Sequence, residues 1–181
     1  MNDFLLTLIN NLTTSLFVGV LSGLLASYIF LMYYLKKKRP KIVISDYISK
    51  DVIDEEINYL FKFVNKTSSE IFDVRVEPTF YKPFGDLNGT NLRSKDIQLK
   101  DNFISTIPCK NSRDSHNCHA MRVRTTEKLE DNWVDESSFL RLTIIAKHSL
   151  SGLNKVFVKD FHSKDCIVSK KFQSGDDLGV K

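Results

Sequence analysis

Cys109, His116, Cys118 and His119 place four soft-metal ligands within 11 residues, and thiolate with imidazole is the donor set from which tetrahedral zinc sites are built. The spacing works against a shared ion. Structural sites use short, regular pairs, whereas His116, Cys118 and His119 are so crowded that all four could reach one centre only under strain. The segment between them, from Lys110 to Ser115, reads as a polar loop. These four are therefore weak metal candidates, and neither a metal nor another cofactor is expected. A Cys109–Cys118 disulfide is a third option, disfavoured in a reducing cytoplasm.

The second chemically capable group is cationic. Arg122 and Arg124 lie two residues apart, and on a strand such side chains share a face. Arg141 and Lys147 follow on a segment that reads as a possible neighbouring strand. Because a guanidinium grips phosphate through two parallel hydrogen bonds, Arg122, Arg124, Arg141 and Lys147 are candidate contacts for a small anionic ligand. The same residues also suit an exposed strand face paired with acidic neighbours.

Catalysis finds little footing, and the chain is expected not to be an enzyme. There is no P-loop, no G-x-S-x-G, no H-E-x-x-H and no dinucleotide fingerprint. His148 and His162 could act as general bases, but neither lies near a patterned nucleophile. Asp54, Glu55 and Glu56 could bind a cation and read better as a solvated turn.

The elements that must position these residues begin after Pro40, where the hydrophobic period becomes alternating. Ile42 and Ile44 open it, Ile57, Tyr59, Phe61 and Phe63 continue it, and Phe72, Val74 and Val76 alternate with Asp73, Arg75 and Glu77. Pro78 predicts an edge or a bulge. Further strands are expected at Ile97 to Leu99, Phe103 to Ile107, Met121 to Thr125, Leu140 to Lys147, Lys155 to Phe161 and Cys166 to Phe172, with a short helical turn at Glu127 to Asp131. Leu140, Leu142, Ile144 and Ala146 make one buried row, and the turn at Gly152 predicts a hairpin with Lys155 to Phe161. About nine short strands predict a mainly β fold, an antiparallel sandwich or small barrel. The stretch from Tyr59 to Tyr81 resembles the first hairpin of an immunoglobulin-like sandwich. Cys109, Cys118 and Cys166 do not have the antibody spacing, and Trp133 falls in a loop, so the resemblance implies architecture alone.

Ahead of this domain no charged residue occurs between Asp3 and Lys36. A transmembrane helix needs about 20 apolar residues, and residues 15–35 supply them, with Tyr28, Tyr33 and Tyr34 toward the charged end as an interfacial belt. The basic cluster follows the apolar stretch, the reverse of a secretory signal peptide. Lysine and arginine beside a span favour the cytoplasm. The expected order is a short extracytoplasmic amphipathic tail over residues 1–14, a transmembrane helix over 15–35, a basic collar over 36–41 and a cytoplasmic β domain over 42–181. Phe4, Leu5, Leu8, Ile9 and Leu12 make the apolar side of the tail. Small residues Ser15, Gly19, Gly23 and Ser27 fall on one helix face, a pattern that lets helices approach closely and self-associate. Triplets at Asn11, Asn65 and Asn88 match the glycosylation pattern, which matters only in a compartment that glycosylates.

The net charge of +4 belongs to the collar. Residues 1–35 contribute one Asp and the collar five basic side chains, which leaves the remaining 140 residues with 21 basic and 21 acidic ones. A neutral domain argues against general nucleic-acid binding, which draws on phosphate neutralisation. Lys36, Lys37, Lys38 and Arg39 suit topology fixation and contact with anionic lipid head groups at about 1 kcal/mol per charge.

Two functions fit. One is a membrane-anchored, non-catalytic binding or sensing module, self-associating through its helix and taking a protein partner or small anionic ligand. The other is a ligand-gated membrane effector that oligomerises and permeabilises the membrane. In domain order it is similar to bacterial antiphage defence effectors that join a small cyclic-nucleotide-sensing domain to membrane helices.

Overall fold

The computed structural model describes residues 2–86, 89–111, 113–133, 135–148, 152 and 154–181; the side chains of residues 2–6, 8–10, 37, 38, 86, 89, 90 and 148 lie outside that description. The Asn88 triplet, the flanks Phe4, Leu5, Leu8 and Ile9 of the expected amphipathic tail, the Lys37 and Lys38 side chains and the His148 imidazole thus fall outside the described set. The chain divides into two compact units, residues 1–38 and 39–181.

The first unit is one helix, α1 (Asn2–Lys38), of 37 residues. At 1.5 Å per residue it is about 55 Å long, well beyond a hydrocarbon core of about 30 Å. Its 26-residue stretch Asn11–Lys36 has a mean hydropathy of 2.0 and is long and apolar enough to cross a membrane. No break marks the expected boundary between residues 14 and 15.

The second unit is mainly β: β1 (Ile42–Ile53), β2 (Glu56–Asn65), β3 (Ile71–Asp86), β4 (Gly89–Asp96), β5 (Phe103–Ile107), β6 (Ala120–Thr125), β7 (Phe139–His148), β8 (Asn154–Phe161) and β9 (Ile167–Val168). One sheet has the order β6-β2-β1-β9 and the other β4-β3-β7-β8, with β5 also on β3. The ladders are antiparallel except for a short parallel pairing of Ile48 with Ile167 and Ser49 with Val168. No ladder closes them into a barrel among the described residues.

One core joins the inner faces. Ile48, Phe61, Phe63 and Val123 from the first sheet meet Val74, Val76, Leu140, Leu142 and Ile144 from the second, and the Phe61 and Phe161 rings stand 6.2 Å apart. Each such side chain removed from water is worth about 1.5–3 kcal/mol. The alternating row Leu140, Leu142, Ile144 and Ala146 is wholly buried, and β7 and β8 form the antiparallel pair that their pattern predicts.

Several expectations change. Tyr59 to Tyr81 is no hairpin, because β2 and β3 belong to different sheets and the turn after Asn65 carries the chain from one to the other. Asn65 fixes that turn: its buried amide donates to the Ser69, Ile107 and Pro108 carbonyls and its oxygen accepts from the Thr67 amide. Ile97 to Leu99 is not a strand, although Ile97 is buried in the core; the polar segment Gly89–Asp96 pairs with β3 instead. Of Cys166 to Phe172 only Ile167–Val168 is strand, and the short helical turn falls at Glu130–Asn132. Pro78 sits within central β3 opposite Leu142. Its carbonyl accepts from Ile97 on the side where β4 has ended and β5 not yet begun, so its missing N–H falls in a gap of the ladder. Trp133 is in a loop yet only 5% exposed, its ring meeting Phe80 edge-on at 4.9 Å.

Candidate anion-binding site

Lys62 is flanked by Phe61 and Phe63 on β2, so alternation turns it away from the core, to the face that water covers in a half-buried sheet. Here that face is covered. The chain after β9 folds back as a small hairpin in which Lys171 and Lys181 exchange both backbone hydrogen bonds at 2.9 Å and Phe172 bridges Val180. Ser45 Oγ, in the irregular stretch of β1 between Ile44 and Ile48, donates to the Leu178 carbonyl at 2.7 Å, and Ser49 Oγ donates to the Lys170 carbonyl at 2.6 Å. The result is a strap, residues 171–181, over the outer face of the first sheet.

Beneath it Lys62 is 1% exposed. Its ammonium donates to the carbonyl of Gln173 at 2.6 Å and to that of Asp177, and forms no ion pair among the described residues. Directly across the ladder stands Arg122, which donates to the Phe172 and Gln173 carbonyls at 3.2 and 3.0 Å. Burial, and after it the neighbouring Arg122 charge, lowers the Lys62 pKa from 10.5, with the Asp177 and Asp176 carboxylates opposing in part. Two cations opposite each other are unfavourable, and a buried ammonium without a counter-charge is costly. With His116, Asn117, Ser174 and Gly175, Lys62 and Arg122 line a pocket of about 270 Å³. The pocket lining holds two cations and no carboxylate, Asp177 and Asp176 acting on Lys62 only through space, and such a lining is chemically suited to a small anion.

A second cluster holds the strap. The Asp176 carboxylate accepts from His119 Nε2 at 2.7 Å and ion-pairs with Lys66 at 3.1 Å and with Lys110. Hydrogen bonds from Lys110 foremost, then from His119 and Lys66, hold its carboxyl well below the usual carboxylate range. Lys66 continues inward: its amide donates to the Lys41 carbonyl at 2.7 Å, while the Lys41 amide donates to Thr67 Oγ1 at 2.8 Å. The site is thus fastened to Lys41, the residue before β1.

The cationic residues expected from sequence separate into two pairs. Arg122 and Arg124 share a face of β6, with Arg124 4.0 Å from Asp54. Arg141 and Lys147 lie on β7, in the other sheet. Arg141 is committed to Asp160 through two bonds of 2.7 Å and lies over the Tyr81 and Phe139 rings, and Lys147 pairs with Asp73 at 3.1 Å. Asp73 has φ of 48° at the point where the β3–β7 register slips. A single row of four cations does not form.

His119 is buried on Asp176, whereas Cys118 is exposed and its amide is held by Asp114 at 2.7 Å. The His116 amide donates to the other Asp114 oxygen at 2.9 Å. Cys109, Cys118 and Cys166 are free thiols. Among the described residues no three His, Cys, Asp or Glu side chains converge on a cation position. Asp54 and Glu55 are the two left-handed residues of the β1–β2 hairpin turn. His162 lines a separate pocket of about 520 Å³ with Trp133, Asp135 and Glu136.

Lys62 was not among the anion contacts that spacing suggested. The available signal was an ammonium inside the run Tyr59-Leu60-Phe61-Lys62-Phe63-Val64, where strict alternation reads as an exposed residue. No family model and no curated protein matches the chain.

Proposed function

We propose that this chain is a membrane-anchored, non-catalytic module whose cytoplasmic β domain binds a small anionic ligand, and that it self-associates through α1. The observation that carries the ligand class is the Lys62–Arg122 pair: two opposed cations, one buried, lining a pocket with carbonyl oxygens but no carboxylate as partners. The membrane assignment draws on the uncharged stretch of α1 and its orientation on the basic collar Lys36, Lys37, Lys38 and Arg39, placed inside by the charge rule for short flanks. An immunoglobulin-like sandwich is the architecture we assign to the two sheets. The test is a titration of full-length protein in detergent with inorganic phosphate and pyrophosphate. Binding that Lys62→Gln and Arg122→Gln each remove supports the reading; equal binding by all three proteins overturns it.

A ligand-gated effector that permeabilises the membrane is favoured by one specific link. Lys66 contacts Asp176 with its side chain and Lys41 with its amide, so the site borders the last residue of the collar. Gly19 and Gly23 lie four residues apart on one face of α1, the small-residue spacing that close helix approach requires. In this reading, Gly19→Leu with Gly23→Leu abolishes leakage from ligand-treated vesicles and reduces the oligomer mass in native mass spectrometry, while ligand binding persists. Leakage that survives both substitutions removes the effector reading.

A further inference from the structure

We propose that Lys66, Lys110 and His119 form a second anion subsite beside Lys62 and Arg122, that Asp176 fills it in cis, and that a ligand carrying two phosphoryl groups binds by displacing the C-terminal strap. The inference rests on the anion-binding reading and extends it to the ligand's valence and to its competitor. Its basis is the way one carboxylate is gripped. Two ammonium groups and an imidazole N–H from three separate segments close on Asp176, the arrangement by which proteins hold a phosphoryl oxygen set. His119 is only 2% exposed, so this donor faces the strap and not solvent.

The two subsites adjoin because Asp176 is the residue before Asp177, whose carbonyl takes the Lys62 ammonium. A single short segment thus supplies a charge to one subsite and carbonyl dipoles to the other. The strap meets Lys62 and Arg122 with carbonyls, and its Asp177 and Asp176 carboxylates offset the Lys62 charge only through space, whereas a phosphoryl group would bring negative charge into direct contact with both. A ligand with two phosphoryl groups would replace Asp176 at one end and bring a directly bonded negative charge to the other.

Polar contacts, and not apolar packing, hold the strap. Outside Phe172, which is 7% exposed, it contributes no side chain to the buried set. Its turn depends on Gly175 at φ of 68°, where a Cβ would come within 3.0 Å of Asn117 Oδ1. Competition between strap and ligand is a coupling free energy, and couplings of this kind shift affinity by roughly 5- to 150-fold.

The experiment uses full-length protein in detergent, with pyrophosphate and inorganic phosphate as probes, read by calorimetry and by hydrogen exchange. Saturating pyrophosphate should speed exchange of the Lys171, Gln173, Gly179 and Lys181 amides, while the amides of the β1–β2 ladder stay protected. Asp176→Asn and Gly175→Ala should each tighten pyrophosphate binding, about tenfold on the coupling scale above, and inorganic phosphate should gain less. Gly175→Ala alters no charge, so its effect separates displacement from simple removal of a repelling carboxylate. If pyrophosphate binds, Lys62→Gln removes binding, and yet neither variant tightens it and the strap amides stay protected, the anion site stands and the displaceable strap is overturned. If no protein, wild type or variant, takes up either probe, both this inference and the anion-binding reading fail.

Discussion

Lys62 on β2 and Arg122 on β6 occupy directly opposed positions in the antiparallel ladder, and carbonyls of one C-terminal segment cap both. Desolvation is the larger cause of the lowered Lys62 pKa and the Arg122 charge the second. Arg122→Gln should therefore move the Lys62 titration only part of the way back toward 10.5. An NMR titration following the Lys62 side-chain nitrogen in wild type and variant measures this directly. A titration that stays put in the variant would show that the two charges do not interact across the ladder.

The β topology of the second unit was legible wherever one face of a strand meets the core and the other meets water, as in β7, where Leu140, Leu142, Ile144 and Ala146 alternate with polar or half-buried neighbours. It failed where a segment is fixed by its neighbours and not by its own pattern. β4 has the composition of a loop and is a strand because β3 overruns the length that β7 and β5 cover. Ile97 reaches the core without a ladder of its own. The site was half legible. Arg122 stood out by type and spacing, but the strap that buries Lys62 lies more than 100 residues away in sequence, with Gln173 at a separation of 111. Alternation on β2 carries no trace of a cover supplied by another part of the chain.

The β1–β2 connection is a two-residue turn whose both members are left-handed without being glycine, Asp54 at φ 55° and Glu55 at φ 67°. The primed turn that fits a right-handed strand twist demands this geometry, and a side chain in it costs roughly 1–2 kcal/mol. Glu55→Gly should relieve most of that, less the extra flexibility of glycine in the unfolded chain, for a net gain of about 0.5–1 kcal/mol. Thermal unfolding should then shift upward by roughly 2–4 °C per kcal/mol. A lower midpoint would mean that Glu55 makes a contribution its backbone angle does not reveal.

The three thiols should react in an order set by their surroundings. Cys166 ends the turn Lys164–Cys166 and burial pushes its thiol up from 9.0 to about 12, a difference that lowers its thiolate fraction by about a thousandfold at neutral pH. Cys118 is exposed. Alkylation at pH 8 followed by peptide mass spectrometry should mark Cys118 well before Cys166. Early labelling of Cys166 would place it outside the core margin.

Stability at alkaline pH should carry the signature of the buried ammonium. A base whose pKa is lower folded than unfolded is protonated more fully in the unfolded chain between the two values, so unfolding takes up protons there and stability rises with pH. For Lys62 the rise begins at its lowered folded value and is complete near 10.5. Tyr59 acts in the opposite sense: burial, then its hydrogen bond to Glu130, raises its pKa above 10.0, so the stability it contributes is full below 10.0 and falls away above. The clean window for Lys62 is therefore below pH 10. Lys62→Met removes the titrating group, so the unfolding free energy of wild type should rise relative to that of the variant as pH climbs toward 10. A difference independent of pH below 10 would mean that Lys62 keeps an ordinary proton affinity under the strap, and that the desolvated charge on which the anion site depends is not there.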